Sequence, residues 1–390
     1  MKVKNGVLGL GVAAGVALFA VSRIIVSRKG KSRLGKFRTR RREVSRSFAG
    51  KVVLVTGGSR GFGLALAEEY GRRGARLILT ARNPEELESA RKKLLAAKIG
   101  LREEDVATFP CDLTDAEQTK KMMEQAEARF GGIDVLVNNA GIISVGPVEN
   151  QSLAAFRGAM DSNFYTMLHT TLAVLPQMLE RRNGSIVNIT SIGAKLAVPH
   201  LLPYSASKFA ALGFSQGLHA ELRSKGIRVT TVCPGLMRTG SHTHALFTGD
   251  RDREYRWFSL SASLPFLSTS ARSAARQVVQ ATEEGRTEIT ITPQALLVAT
   301  LAQAFPACTA AVMHRVTALA LPKPLNGSDQ SLVPGRDVRG KELMPFLMLG
   351  RQAARRYNED AREHSAVETP ASFAVVGARQ LHASVTLGGA

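Results

Sequence analysis

The apolar positions of this chain fall into short unbroken runs separated by stretches of helical period. Lys51–Thr56 (KVVLVT), Arg76–Thr80 (RLILT), Val106–Pro110, Ile133–Asn138 (IDVLVN), Ser185–Thr190 (SIVNIT), Ile227–Cys233 (IRVTTVC) and Thr287–Ile291 (TEITI) carry this signature. Apolar runs without polar alternation predict strands covered on both faces. Between them, Pro84–Ala97 and Asp115–Phe130 have helical spacing. Seven strands with helical crossovers predict an α/β fold, a doubly wound parallel sheet of seven strands occupying residues 48–292.

The ends of the chain differ from this middle. Gly6–Ser22 carries no charge, and Ile24–Val26 extend the apolar stretch past Arg23. As a helix, Gly6–Val26 is roughly 31 Å long, enough to cross a bilayer core. Residues 1–27 are therefore expected to form an N-terminal transmembrane anchor; a cleaved signal peptide and a surface helix remain as rivals. Residues 23–46 hold eleven Lys or Arg against one acid, Glu43, which is half of the net charge of +20. Such a run could meet nucleic acid. Its place beside an apolar stretch favours anionic lipid headgroups, so residues 28–47 are read as a basic juxtamembrane linker and no nucleic-acid partner is expected. Positive charge stays on the cytoplasmic side, which puts the following domain there.

Beyond the last strand, Ile289–Met313 is uncharged and mostly apolar, broken by Pro293 and Pro306. The apolar helical extension 293–322 is open to three readings: a second membrane contact, a dimer-facing helix pair, or packing against the main domain. Residues 323–390 form a polar tail, and 366–390 have the composition of a disordered segment. Cys111, Cys233 and Cys308 are odd in number and far apart, which excludes a disulfide framework as the simple reading and offers no metal set.

Candidate chemistry sits at the strand ends. Thr56-Gly57-Gly58-Ser59-Arg60-Gly61-Phe62-Gly63 follows the first strand and opens a helix. Glycines at 57, 61 and 63 let the backbone approach a pyrophosphate, and the helix N-terminus faces that anion. The second strand ends at Ala81-Arg82, where an acid would bind a ribose 2′-hydroxyl. Arg82 and Arg60 suit a 2′-phosphate instead; a solvated Arg82 is the alternative. Tyr204 and Lys208 share one helix face, and an ammonium near a phenol favours the phenolate. That is a plausible acid/base device, though the pair alone recurs by chance in a chain this long.

Taken with its context, this set resembles the short-chain dehydrogenase/reductase family, in an NADP-preferring, membrane-anchored form. Ser191 lies 13 residues before Tyr204; Asn163 lies in Asp161-Ser162-Asn163-Phe164; Cys111-Asp112-Leu113 follows the third strand; Asn138-Asn139-Ala140-Gly141 ends the fourth; Pro234-Gly235 and Thr239 follow the sixth. The elements run in family order across residues 51–240. The resemblance implies a Rossmann-type fold and an NADP(H) cofactor held by Gly57, Ser59, Arg60, Gly61, Phe62, Gly63, Arg82, Asp112, Leu113, Asn139, Ala140, Gly141, Tyr204, Lys208, Pro234, Gly235 and Thr239. It implies that Tyr204 exchanges the proton, Ser191 holds the substrate oxygen, Lys208 holds the nicotinamide ribose and lowers the Tyr204 pKa, and Asn163 positions a water. No metal is implied. The expected reaction is hydride transfer between nicotinamide and a carbonyl or alcohol. A non-catalytic NADP-binding scaffold or sensor is the rival. Leu246, Phe247, Trp257, Phe258, Leu260, Leu264 and Phe266, in the segment where the family builds its substrate lid, point to a greasy substrate such as a retinoid, steroid or fatty carbonyl; ordinary lid packing explains them equally. Homo-oligomers are common in the family, but nothing in this sequence shows one.

Overall fold

The computed structural model describes residues 47–263, 268–325, 330–338 and 348–359. The expected anchor and all but the last residue of the basic linker, with the 366–390 segment, lie outside the described residues.

Seven strands form one parallel sheet: β1 (Val52–Thr56), β2 (Arg76–Ala81), β3 (Val106–Pro110), β4 (Val135–Asn138), β5 (Gly184–Ile189), β6 (Ile227–Pro234) and β7 (Glu288–Ile291). Their order is β7-β6-β5-β4-β1-β2-β3. From β1 the chain winds outward one way and from β4 the other, so the crevice at the carboxyl ends of β1 and β4 is the switch point where such sheets bind ligands. Val53 pairs with both Leu77 and Val135, which sets β1 between β2 and β4. Each expected strand is present, with ends shifted by at most two residues. Ile133 and Asp134 fall outside β4 because the Asp134 carboxylate turns back to accept from the Val52 N–H at 2.9 Å.

Both faces of the sheet are covered, which is why its strands read as continuous apolar runs. Helices α1 (Gly61–Arg72), α2 (Pro84–Ala96), α3 (Ala116–Phe130), α5 (Thr166–Glu180), α6 (Leu202–Leu222) and α8 (Ala271–Glu284) supply the cover, while α4 (Leu153–Met160) packs on α6 and α7 (Arg251–Ser263) sits off the sheet in a small core of its own. Val53, Val55, Leu77 and Val137 face one core with Leu64, Leu66, Tyr70 and Val278. Val52, Leu54, Ile78 and Leu136 face the other with Met122, Met123, Val174 and Met178. Helix starts follow local chemistry. Asn83 caps α2 by accepting from Glu86 N–H, with Pro84 in the first turn, and Asp115 caps α3 through Glu117 and Gln118.

The apolar extension forms α9 (Pro293–Ala304) and α10 (Pro306–Ala320). Among the described residues no single helix is long and apolar enough to cross a membrane; these two pass that test only together, and they bend by 117° where they meet. In α9 Ala295, Ala299 and Ala302 are buried, whereas no residue of α10 is. Packing against the main domain therefore accounts for part of α9 and for little of α10. The last helix among the described residues, α11 (Met348–Arg356), packs against α7.

Candidate active site

The glycine loop is a turn that only glycine can make. Gly57 and Gly61 have φ of +61° and +55°, and a methyl at Gly63 would overlap the Gly57 carbonyl. The turn is pinned from β4: Thr56 Oγ1 accepts from the N–H groups of Asn139 and Ala140, both at 2.9 Å, and the Asn139 amide donates to the Thr56 carbonyl at 3.0 Å. So Asn139, expected to border a cofactor, also holds the loop in shape. Gly141 lies beside Asn163 and Lys208, and a methyl there would overlap Asn163 Oδ1.

The four expected catalytic residues converge. Ser191 lies two residues beyond the end of β5, and its Oγ accepts from Gly193 N–H at 2.9 Å. Gly193 has no room to spare, since a methyl there would sit 3.3 Å from both Ser191 Oγ and Tyr204 Cε1. Tyr204 and Lys208 lie in the first two turns of α6, and Lys208 Nζ is 5.8 Å from the Tyr204 ring centre. Lys208 donates to the Ile189 carbonyl at 3.1 Å. Asn163 sits in a π-helical turn, Asp161–Tyr165, between α4 and α5. Such turns widen a helix locally and recur at functional sites. Its amide clamps Ile142 through both backbone groups, at 3.0 and 3.1 Å, and donates to Ser207 Oγ at 3.0 Å.

The electrostatics depart from expectation at Tyr204. Burial raises its pKa above 10, and a hydrogen bond with Ser191 offsets this only in part. The same burial pushes Lys208 down to about 8. The lowering of Tyr204 expected from Lys208 is thus outweighed by desolvation of the phenolate, the charged form.

Other expected residues have partners of their own. Asp112 Oδ1 accepts from Thr114 N–H and Oγ1, at 3.1 and 2.8 Å, and the Leu113 carbonyl meets His169 Nδ1 at 3.0 Å. Pro234 closes β6, Gly235 packs against Ala295, and Thr239 Oγ1 accepts from Ser241 N–H at 3.2 Å. Arg60 donates to Glu86 at 2.8 and 3.1 Å, and Ser59 Oγ donates to the same carboxylate. Arg82 is exposed and makes no ion pair among the described residues. Phe247 and Phe258 are buried in a small core with Val145, Leu201 and Ala245, so their apolarity serves packing; Leu246, Trp257 and Leu260 stay half-buried. Leu264 and Phe266 lie outside the described residues.

Three features were not foreseen. A buried polar ladder runs from Thr170 through Asn138, Asn188 and Ser215 to Thr231, with bonds of 2.6 to 3.0 Å, joining α5, β4, β5, α6 and β6 behind the site. His200, four residues before Tyr204, pairs with Glu254 of α7. Tyr357–Glu359 lie across the glycine loop, with Gly61 N–H donating to the Tyr357 carbonyl at 2.7 Å. The left-handed His200, with φ of +63°, leaves no trace in composition.

The family profile described as short chain dehydrogenase matches residues 51–246. The chain belongs to that family. A dehydrogenase/reductase SDR family protein 7-like from Anopheles gambiae is 37% identical over 202 residues, a match that covers 52% of this chain and 64% of that protein. The crystal structure of a short-chain dehydrogenase from Streptomyces avermitilis superposes with a TM-score of 0.59 at 31% identity, covering 69% of this chain and 97% of that one. A variant of actinorhodin polyketide ketoreductase, crystallised with NADPH, gives 0.54 at 28% identity over 63% of this chain and 97% of its own. Proteins of this family are oxidoreductases that use a nicotinamide cofactor, and the match here spans residues 51–246. The glycine cradle fits that cofactor, because its positive-φ turns and the clash that a side chain at Gly63 would cause leave the backbone open to a pyrophosphate.

Proposed function

We propose that the protein interconverts a lipophilic aldehyde or ketone and its alcohol with NADP(H) at a membrane surface. The observation that carries the reaction class is the convergence of Ser191, Tyr204 and Lys208 beside a glycine loop pinned by Asn139. When bound, the nicotinamide supplies or accepts the hydride. Tyr204 Oη passes a proton to the substrate oxygen in reduction and takes it back in oxidation. Ser191 Oγ donates to the same oxygen and stabilises the charge that develops on it. Lys208 holds a positive charge next to the phenol, and Asn163 fixes the Ile142 backbone that closes this side of the site.

Support for NADP(H) comes from the adenosine end. No acid ends β2, exposed Arg82 stands there, and Arg60 lies nearby in the loop. Glu86 occupies Arg60 and would have to share it with a 2′-phosphate. Dissociation constants for NADPH and NADH test this: NADPH should bind at least tenfold tighter, and Arg82→Asp should narrow or reverse the ratio. Equal binding of the two by the native protein overturns the preference.

Half-buried Leu246, Trp257 and Leu260 favour an apolar substrate. Leu296, Leu301, Phe305, Val312 and Leu319, exposed on the bent pair α9–α10, favour a seat on lipid. A screen of NADPH consumption against long-chain and short polar carbonyl compounds tests the substrate class. Faster turnover of the polar set sinks it.

A further inference from the structure

The amide that should greet a pyrophosphate is already in use. Gly61 N–H, at the start of α1, donates to the Tyr357 carbonyl at 2.7 Å. That bond belongs to a compact turn closing α11. Tyr357 N–H and Glu359 N–H donate back to the Ala353 and Ala354 carbonyls, and Asn358 adopts the left-handed conformation between them, with φ of +58°. Asn358 Nδ2 donates to the Ser59 carbonyl at 3.1 Å, and Ser89 Oγ donates to Asn358 Oδ1 at 3.4 Å. Tyr357 is 4% exposed and joins Phe62 and Leu64 in the core beneath the loop.

Glu359 goes deepest. Its Oε1 fills the space above Gly61, so that a methyl on that glycine would overlap it. On its other side Gly240, directly after Thr239, is in contact too: a methyl there would sit 3.0 Å from Glu359 Cβ and 2.6 Å from Ala354 Cα. The Glu359 carbonyl accepts from Thr243 Oγ1 at 3.0 Å. The carboxylate therefore lies between the glycine loop and the element after β6, the two walls between which a dinucleotide must thread. It is a poor tenant. Glu359 Oε2 is buried without a hydrogen-bond partner, 3.3 Å from His244 Nε2 and 4.0 Å from Arg60 Nε. A buried acceptor left without a hydrogen bond costs free energy that a better-fitting anion recovers.

We propose that Tyr357–Glu359 is a built-in occupant of the dinucleotide site, and that the cofactor binds only by displacing it. The inference rests on reading the glycine loop as that site. Cofactor and segment compete for Gly61 N–H and for the space between Gly61 and Gly240, so the apparent affinity for cofactor falls by the fraction of molecules in which the segment is undocked. Anything that holds α11 elsewhere then activates the protein without touching its catalytic residues.

The test uses the full-length chain and three proteins: native, Asn358→Val and Glu359→Ala. Valine resists the left-handed conformation and loses the bonds to Ser59 and Ser89, and it adds no charge that attracts NADPH. Dissociation constants for NADPH are measured by fluorescence titration, and amide hydrogen exchange is followed with and without NADPH. Both variants should bind NADPH about tenfold tighter or more. In the native protein NADPH should speed exchange at Tyr357 and Glu359, whose N–H bonds close the turn. Unchanged dissociation constants in both folded variants, with exchange at 357–359 indifferent to NADPH, overturn the proposal and leave the dinucleotide reading standing. No binding of NADPH or NADH by any of the three overturns both.

Discussion

Glu254, fully buried, bridges two donors, His200 and Trp257. His200 Nδ1 donates to its Oε1 at 2.7 Å and Trp257 Nε1 to its Oε2 at 2.6 Å, while the Glu254 side chain has no exposed surface. The pair ties helix α7 to the loop that delivers Tyr204, and the His200 carbonyl extends the tie by accepting from Gly146 N–H. Removing one partner of a buried ionic or hydrogen-bonded pair strands the other at a cost of about 3–5 kcal/mol. Glu254→Ala should therefore lower the stability to urea by that order and raise KM for the carbonyl substrate, with NADPH affinity unchanged. A urea midpoint within experimental error of the native value would show that the bridge holds nothing.

Tyr204→Phe should abolish turnover and leave NADPH binding intact, because only the phenolic oxygen moves the proton. Removing the hydroxyl also removes a partner of Ser191. Ser191→Ala should cost on the order of a hundredfold in kcat by losing a donor that strengthens in the transition state. Steady-state rates paired with NADPH titrations check both. More than about a tenth of native turnover in Tyr204→Phe would move the proton transfer to another group.

The seven strands were legible in the amino-acid sequence because a sheet covered on both faces leaves apolar runs such as Val52–Val55, with no alternation to confuse them. The glycine loop and the Tyr204–Lys208 pair were legible because backbone approach and one shared helix face require those residue types at those spacings. What stayed hidden depends on contacts between distant, polar segments. Glu359 is 5% exposed, yet an acid in a polar tail reads as a surface charge. Arg60 in the glycine loop suits a phosphate, and its salt bridge to Glu86 becomes visible only once α2 is packed beside the loop. The Tyr204 pKa moves up rather than down because desolvation is a property of the folded interior, which no sequence neighbour reports.

The proposed membrane seat separates into two forces. Attraction of the basic residues 23–46 to anionic headgroups is screened by salt, whereas burial of Val7–Val21 in hydrocarbon is not. Full-length protein should stay with membranes at high salt and leave them only with detergent. Complete release by salt alone would mean that the basic run binds while the apolar run does not insert.

Lys208 sets function against stability. It is 5% exposed, its ammonium has one acceptor among the described residues, the Ile189 carbonyl, and burial has pushed its pKa down to about 8. In the unfolded chain a lysine titrates near 10.4. Between pH 8 and 10.5 the folded protein therefore binds fewer protons than the unfolded chain, and its stability rises with pH across that window. Below about pH 8 Lys208 is charged in both states and the full cost of burying it is present, roughly 3 kcal/mol at most by that shift. Lys208→Met replaces the ammonium with an apolar chain of similar length. It should abolish turnover and yet stabilise the fold at pH 7 by about 1–3 kcal/mol, and the gap should close as pH rises from 8 towards 10.5. Urea midpoints of the two proteins from pH 6 to 10 measure it. Parallel curves, or a variant less stable than the native protein at pH 7, would mean that the Lys208 charge is compensated inside the fold.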